Sequence, residues 1–141
     1  RIERLPFREE ADESQFLYPD GTMRVAAWQL FGSLFFGAVN KLEELLDPSA
    51  GHPEVVILDM ARLIQLDTTG LEGLESLRDK LQKRGCTLLV CGLNSQPGSL
   101  LFRSGFIDHL GDDNVCTDLS SAIKRAYILL PSLMGGNDED Y

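Results

Sequence analysis

A carboxylate and two hydroxyls stand together in Asp67-Thr68-Thr69-Gly70, and an amphipathic helical pattern begins directly after them. A helix N-terminus leaves backbone N–H groups without partners and carries the positive end of the dipole. Oxygen-bearing side chains there can cap the helix, dock an anion or a partner, or accept a phosphate. Thr69 with Glu72 fits a capping box, in which each side chain satisfies a free N–H of the other residue. Thr69 is therefore a capping hydroxyl on one account and a docking or phosphorylation site on the other, with Thr68 beside it. A phosphate on Thr69 would gain from the dipole and face like charge from Asp67 and Glu72. The simpler role for Asp67 is to accept backbone N–H bonds in the turn, because no second carboxylate or histidine neighbours it in sequence to complete a base or metal site. Asp59, at the end of an apolar run, reads likewise as a local acceptor.

Little else in the chain has the spacing of a chemical site. Ser33, Asn94 and Ser95 follow apolar runs, and the 60–69 segment reads as a loop. In a parallel sheet these would gather at the carboxyl edge, where ligands bind. None of these segments holds GxxxxGK[ST], GxGxxG or a lysine, so no cofactor is expected and solvated turns are the simpler account. The three cysteines (Cys86, Cys91, Cys116) are odd in number and lack CxxC spacing, as for space-filling thiols in a reducing compartment. His52 and His109 are isolated, which disfavours zinc. No nucleophile–base pair is apparent, so the chain is not read as an enzyme.

The elements that would position these residues follow from periodicity. Residues 15–18 and 23–31 flank Pro19-Asp20-Gly21, which predicts a turn between antiparallel strands. Gly32-Ser33 should end the second strand. A helix carrying Phe35, Val39, Leu42 and Leu46 follows, and Asp47-Pro48 stops it. A strand over 54–59 precedes the 60–69 loop. Leu71, Leu74, Leu77 and Leu81 share one face of the helix after Thr69, Lys80, Lys83 and Arg84 suit its C-terminal end, and Gly85 terminates it. A strand over 87–92, a short helix over 98–104 and an edge strand over 114–116 come next. A last helix is capped by Asp118 and ends at Pro131. Alternating strands and helices imply right-handed parallel crossovers. The fold class is α/β: a single domain over 15–131 with a mixed, mostly parallel sheet of four to five strands and about four helices. Residues 1–14 read as a linker or arm, and 132–141 as a disordered acidic tail.

At 141 residues, 43% apolar and 25% charged, the chain has the totals of one soluble domain. Its net charge of -9, without a basic stripe, argues against nucleic acid and anionic lipid. No run approaches the roughly 18 apolar residues of a membrane span. The start at Arg1, without an apolar signal region, reads as an excised or processed chain. The Phe31, Phe35, Phe36 cluster reads as core at helical spacing, with a contact surface as the other account.

Val-Val-Ile-Leu-Asp-Met (55–60), Leu-Asp-Thr-Thr-Gly-Leu (66–71) and Lys-Arg-Gly-Cys-Thr-Leu-Leu-Val-Cys-Gly-Leu (83–93) resemble the STAS domain (sulfate transporter and anti-sigma factor antagonist) over about residues 22–130. Residues 30–38, Leu-Phe-Gly-Ser-Leu-Phe-Phe-Gly-Ala, are similar to the G-P-L-F-F segment of the sulfate permease (SulP) branch, with Ser33 in place of the usual proline. That resemblance implies a regulatory, protein-interaction domain on the cytoplasmic face of the cell membrane. It would follow the last membrane helix of a sulfate or other anion transporter. Its partners would be the transmembrane part of that transporter and a soluble regulatory protein. The contact surface would be Asp67, Thr68, Thr69, Gly70 and Glu72 with Ser33, Asn94 and Ser95. In the antagonist branch a serine at the position of Thr69 is phosphorylated, which implies the alternative of a free-standing antagonist switched at Thr69. Nucleotide binding, proposed for family members, finds little support in these loops. Covered sheet faces predict a monomer or weak dimer.

Overall fold

Among residues 1–6, 16–20, 22–46 and 53–133, which the computed structural model describes (131–133 by backbone), five strands form one sheet in chain order. They are β1 (Ile2–Leu5), β2 (Val25–Leu34), β3 (Val55–Leu66), β4 (Thr87–Cys91) and β5 (Val115–Cys116). β1 runs antiparallel to β2, and every other pair is parallel. The helices are α1 (Phe36–Leu45), α2 (Thr68–Lys83), α3 (Ser95–Arg103), α4 (Phe106–Leu110) and α5 (Leu119–Leu133). The expected α/β class and mostly parallel sheet are present.

The period-2 alternation of the strands divides the core between two faces. Val56, Leu58, Met60, Leu88 and Val90 face α1 to α4, packing on Val39, Leu42, Leu74, Leu77, Leu81, Leu101 and Phe106. Val55, Ile57, Leu89 and Cys91 face α5, against Ala122, Ile123, Ala126 and Leu130. The central strands are apolar on both faces because both are covered. Leu71, Leu74, Leu77 and Leu81 are all buried, as their spacing requires, and Gly85 takes φ +75 at the end of α2.

α1 and α2 lie side by side and start at the same edge of the sheet. Gly73 makes this approach feasible, since a Cβ built there would lie 2.8 Å from Val39 Cβ. Lys80 Nζ reaches Glu43 at 2.9 Å, and Arg84 Nη1 donates to the Leu46 carbonyl at 3.2 Å, where α1 has run out of N–H partners for its carbonyls.

Several expectations need correction. Ile2–Leu5 is an edge strand, inside the segment read as an arm. Leu17 and Met23 meet in an isolated antiparallel bridge, where a pairing of residues 15–18 with the strand from 23 was expected; Gly21 of the expected turn lies outside the described residues. β2 passes through Gly32-Ser33 to Leu34, with irregular register against β3 after Gln29 and after Gly32. Because β2 continues, β3 has a hydrogen-bonding neighbour beyond Asp59, so residues 60–66 are strand and not loop. α3 begins at Ser95, three residues earlier than expected, placing Pro97 in the first turn, where its missing N–H costs nothing. α4 was not expected. Asp118 caps α5 through Ser121 N at 2.8 Å as predicted, but α5 continues past Pro131 to Leu133. Residues 7–15, the loop around His52 and the tail from 134 lie outside the described residues.

Replacing Gly73 with alanine raises helix propensity by about 1 kcal/mol, but the new methyl strikes Val39. We expect a net loss of about 1–2 kcal/mol from overpacking, read as a lower urea midpoint at unchanged slope. A raised midpoint would mean that the two helices do not approach this closely.

Candidate functional site

β3 ends at Leu66, and the chain turns at once into α2. Asp67 is extended (φ -96, ψ 176) and is the N-cap, accepting from Gly70 N at 2.7 Å. Thr68 is the first helical residue and Thr69 the second. The expected capping box of Thr69 and Glu72 is thus replaced by an aspartate cap starting two residues earlier, and Glu72 points to solvent. The same Asp67 oxygen, Oδ1, also accepts from Thr69 Oγ1 at 2.7 Å. Together the two bonds hold the carboxyl below the ordinary carboxylate range, the Gly70 N–H contributing most and the Thr69 hydroxyl next.

Thr69 does more than serve its own helix. Its Oγ1 accepts from Phe36 N at 3.3 Å, and Phe36 is the first residue of α1. The hydroxyl donates to the Asp67 carboxylate and receives an N–H that α1 cannot satisfy internally. The positive ends of two helices therefore meet at one exposed side chain. Gly70 holds this arrangement in place. It is buried, and a Cβ there would lie 2.4 Å from the Leu34 carbonyl oxygen and 2.9 Å from Leu66 Cδ1. A residue with any side chain would push the start of α2 away from the end of β2.

Thr68 and Thr69 are both exposed at this turn. Beside them Phe35 and Phe36, expected in the core, are 54% and 50% exposed. They lie where β2 hands over to α1, and the buried stripe of α1 starts only at Val39. Ser33 is exposed on β2, paired in register with Gln65. Ser95 is exposed at the first turn of α3. Among the described residues, no hydrogen bond joins Ser33 or Ser95 to the Asp67–Gly70 turn. Asn94 is committed elsewhere: its Nδ2 donates to the Ala61 carbonyl at 3.0 Å and the Leu63 carbonyl at 2.8 Å. Gln96, which sequence reasoning missed, accepts from Leu66 N at 2.7 Å and donates to Leu66 O at 2.8 Å. Its amide stands in for a neighbouring strand along β3 beyond the end of β4. No spacing pattern marks a glutamine for that role.

Asp59 is buried and accepts from Gln29 Nε2 at 2.9 Å and Ala61 N at 3.0 Å, the local role expected of it. Cys91 lies beside it in register, and burial first, then the Asp59 charge, raises its thiol well above the ordinary range. Burial likewise pushes Cys86 up to about 12. Both thiols stay protonated and unreactive at neutral pH. Among the described residues no group of three His, Cys, Asp or Glu could hold a metal ion, and no helix is long and apolar enough to cross a membrane.

A family model described as STAS domain matches residues 20–122. A putative sulfate transporter of Bacillus subtilis, YvdB, is 31% identical over 88 residues, which is 62% of this chain and 17% of that protein. The STAS domain of a SulP transporter from Vibrio cholerae superposes with a TM-score of 0.70 at 26% identity, covering 79% of this chain and 89% of that one. The unphosphorylated anti-sigma factor antagonist SpoIIAA superposes at 0.65 with 17% identity over 90% of this chain and 96% of that one, a likeness of fold alone. The chain spans less than a fifth of the curated sulfate transporters that it matches.

Asp67→Ala removes the acceptor for both the Gly70 N–H and the Thr69 hydroxyl, and should lower the thermal midpoint at pH 7. The folded pKa lies below the unfolded one. The carboxylate's contribution is therefore complete above its unfolded value of about 3.9 and is lost as pH falls through the lowered folded value. The gap between parent and variant should close over that acidic range. Thr69→Ala should cost about 1 kcal/mol through lost hydroxyl bonds. A gap for Asp67→Ala that stays constant down to pH 2 would show that the carboxylate is not the cap.

Proposed function

The chain belongs to the STAS domain family, and on that premise we propose that it is the contact-making regulatory domain of a SulP-type transporter of sulfate or another anion. It lies on the cytoplasmic face of the membrane beside the transporter's membrane-spanning part. The similarity to the putative sulfate transporter of Bacillus subtilis and to the SulP transporter domain of Vibrio cholerae supports the transporter setting, while the likeness to SpoIIAA rests on fold alone.

The observation that carries this function is the exposed edge where α1 and α2 begin. Thr69 sits there between two helix N-termini, and Phe35 and Phe36 present apolar surface next to it. Such an edge offers a partner apolar burial together with a positive dipole end for an acceptor group. Asp67, Thr68, Thr69, Gly70 and Glu72 form its centre, and Ser33 and Ser95 lie at its margin. Asn94 acts from behind, by fixing the edge of β3. Contact here regulates transport only if it differs between the transporter's conformations, so the domain favours the one whose surface fits better. A soluble regulator would compete for the same edge.

Thr69 is the residue through which a phosphate would act. A phosphate ester cannot donate to Asp67, and it would set two like charges at the distance of a hydrogen bond. It would instead accept from Phe36 N and the first N–H groups of α2. The modification would release the Asp67 cap and change the edge while leaving the buried stripe of α2 in place.

In the full-length transporter, Phe36→Asp and Thr69→Glu should each change sulfate uptake by about fivefold or more, at equal membrane abundance. The isolated domains should keep the parent's far-UV spectrum, Phe36→Asp with the parent's unfolding midpoint and Thr69→Glu with a midpoint lowered about as much as in Thr69→Ala. Unchanged uptake with both folded variants would remove this edge from regulation. Phosphorylation-dependent capture of an anti-sigma kinase by the isolated chain would instead support the free-standing antagonist.

A further inference from the structure

Past the end of β4, side chains take the place of a strand along the edge of β3. The chain leaves β4 through Gly92, whose φ of +70 carries it across Ala61; a Cβ there would lie 3.0 Å from Ala61 N. Asn94 then donates to the Ala61 and Leu63 carbonyls. Gln96 takes both backbone groups of Leu66, accepting from its N–H at 2.7 Å and donating to its C=O at 2.8 Å. Residues 92, 94 and 96 thus follow 61, 63 and 66 while the main chain rises into α3.

Leu66 is the residue before the Asp67 cap. On the β2 side the tie at this point is long, with Asp67 N 3.5 Å from the Leu34 carbonyl, at the limit of a hydrogen bond. On the α3 side the two bonds from Gln96 are short. Leu66 is 1% exposed, so water has little access to its N–H and C=O if the amide leaves, and buried groups without partners are costly. Gln96 is itself fixed, because Pro97 and Leu101 bury their side of α3.

We propose that Gln96 is the positioning residue of the contact edge. By fixing Leu66 it sets where Asp67 stands, and through Asp67 the Thr69 hydroxyl and its hold on Phe36 N. Asp67 Oδ1 has to meet Gly70 N and Thr69 Oγ1 at once, each at 2.7 Å, which a displaced Leu66 would prevent. An amide suits this task because it carries a donor and an acceptor side by side, whereas a carboxylate only accepts and an ammonium only donates. On the reading that the edge where α1 and α2 begin makes the contact, a determinant of its shape lies on a third helix.

The test is a pH titration of the folded 141-residue chain, followed at the side-chain carboxyl carbon of Asp67, with hydrogen exchange of the Gly70 amide measured in parallel at neutral pH. In Gln96→Ala the Asp67 carboxyl should titrate higher than in the parent, toward the ordinary value of about 3.9, and Gly70 should exchange about tenfold faster. Gln96→Glu keeps the size of the side chain but, ionised, cannot donate to Leu66 O, so Gly70 should exchange faster there too. Leu101→Ala removes buried volume from the same helix and leaves the amide in place. It should lower the unfolding midpoint without moving the Asp67 titration. Parent-like Asp67 titration in Gln96→Ala, parent-like Gly70 exchange in Gln96→Glu, or an equal Asp67 rise in Leu101→Ala would overturn the proposal. Neither readout involves transport, so this failure is distinct from a failure of the edge to regulate uptake.

Discussion

The space that Gly70 does not fill governs the candidate surface. With the Leu34 carbonyl 2.4 Å from where a Cβ would stand, α2 starts directly against the end of β2. That closeness brings Thr69 within reach of the first N–H of α1. From there the two helices stay matched along their length, through Gly73 on Val39, Lys80 on Glu43 and Arg84 on the Leu46 carbonyl. One of these three contacts depends on a missing side chain and two on long ones, as parallel helices need when they approach closely at one end and are tied at the other. The exposed ion pair adds little stability alone; the buried leucine stripe supplies most of it.

The sheet places this surface clear of the core. β2 and β3 run on as a two-stranded ribbon after β4 has ended, so the starts of α1 and α2 stand out from the five-stranded body. An exposed aspartate, two threonines and two phenylalanines can sit there without weakening the packing beneath. At the turn one carboxylate oxygen takes both an N–H and an O–H.

Much of this was legible in the residues, for physical reasons. The leucines of α2 are spaced so that only a helix buries them together, and Val55 to Leu58 are β-branched or apolar without a break. Capping was harder. Asp67 and Thr69 both carry suitable oxygens two residues apart, and only the backbone conformation of Asp67 decides between them. The far half of β3 was illegible because Ala61, Arg62, Ile64 and Gln65 are exposed, leaving no period-2 alternation to read. β1 is a four-residue edge strand with charged residues at its middle, a composition that also describes a solvated arm. Phe35 and Phe36 misled because their apolarity suggests the core, whereas their place at a strand-to-helix junction leaves both about half exposed among the described residues.

Asn94 has a consequence for the lifetime of the molecule. Its nitrogen, not its oxygen, faces two carbonyl groups. Hydrolysis of that amide, a slow ageing reaction of asparagine, would swap the donor for a charged acceptor and set three oxygens against one another. The ribbon would lose the brace at Ala61 and Leu63, keep the one that Gln96 makes at Leu66, and expose part of an adhesive backbone margin.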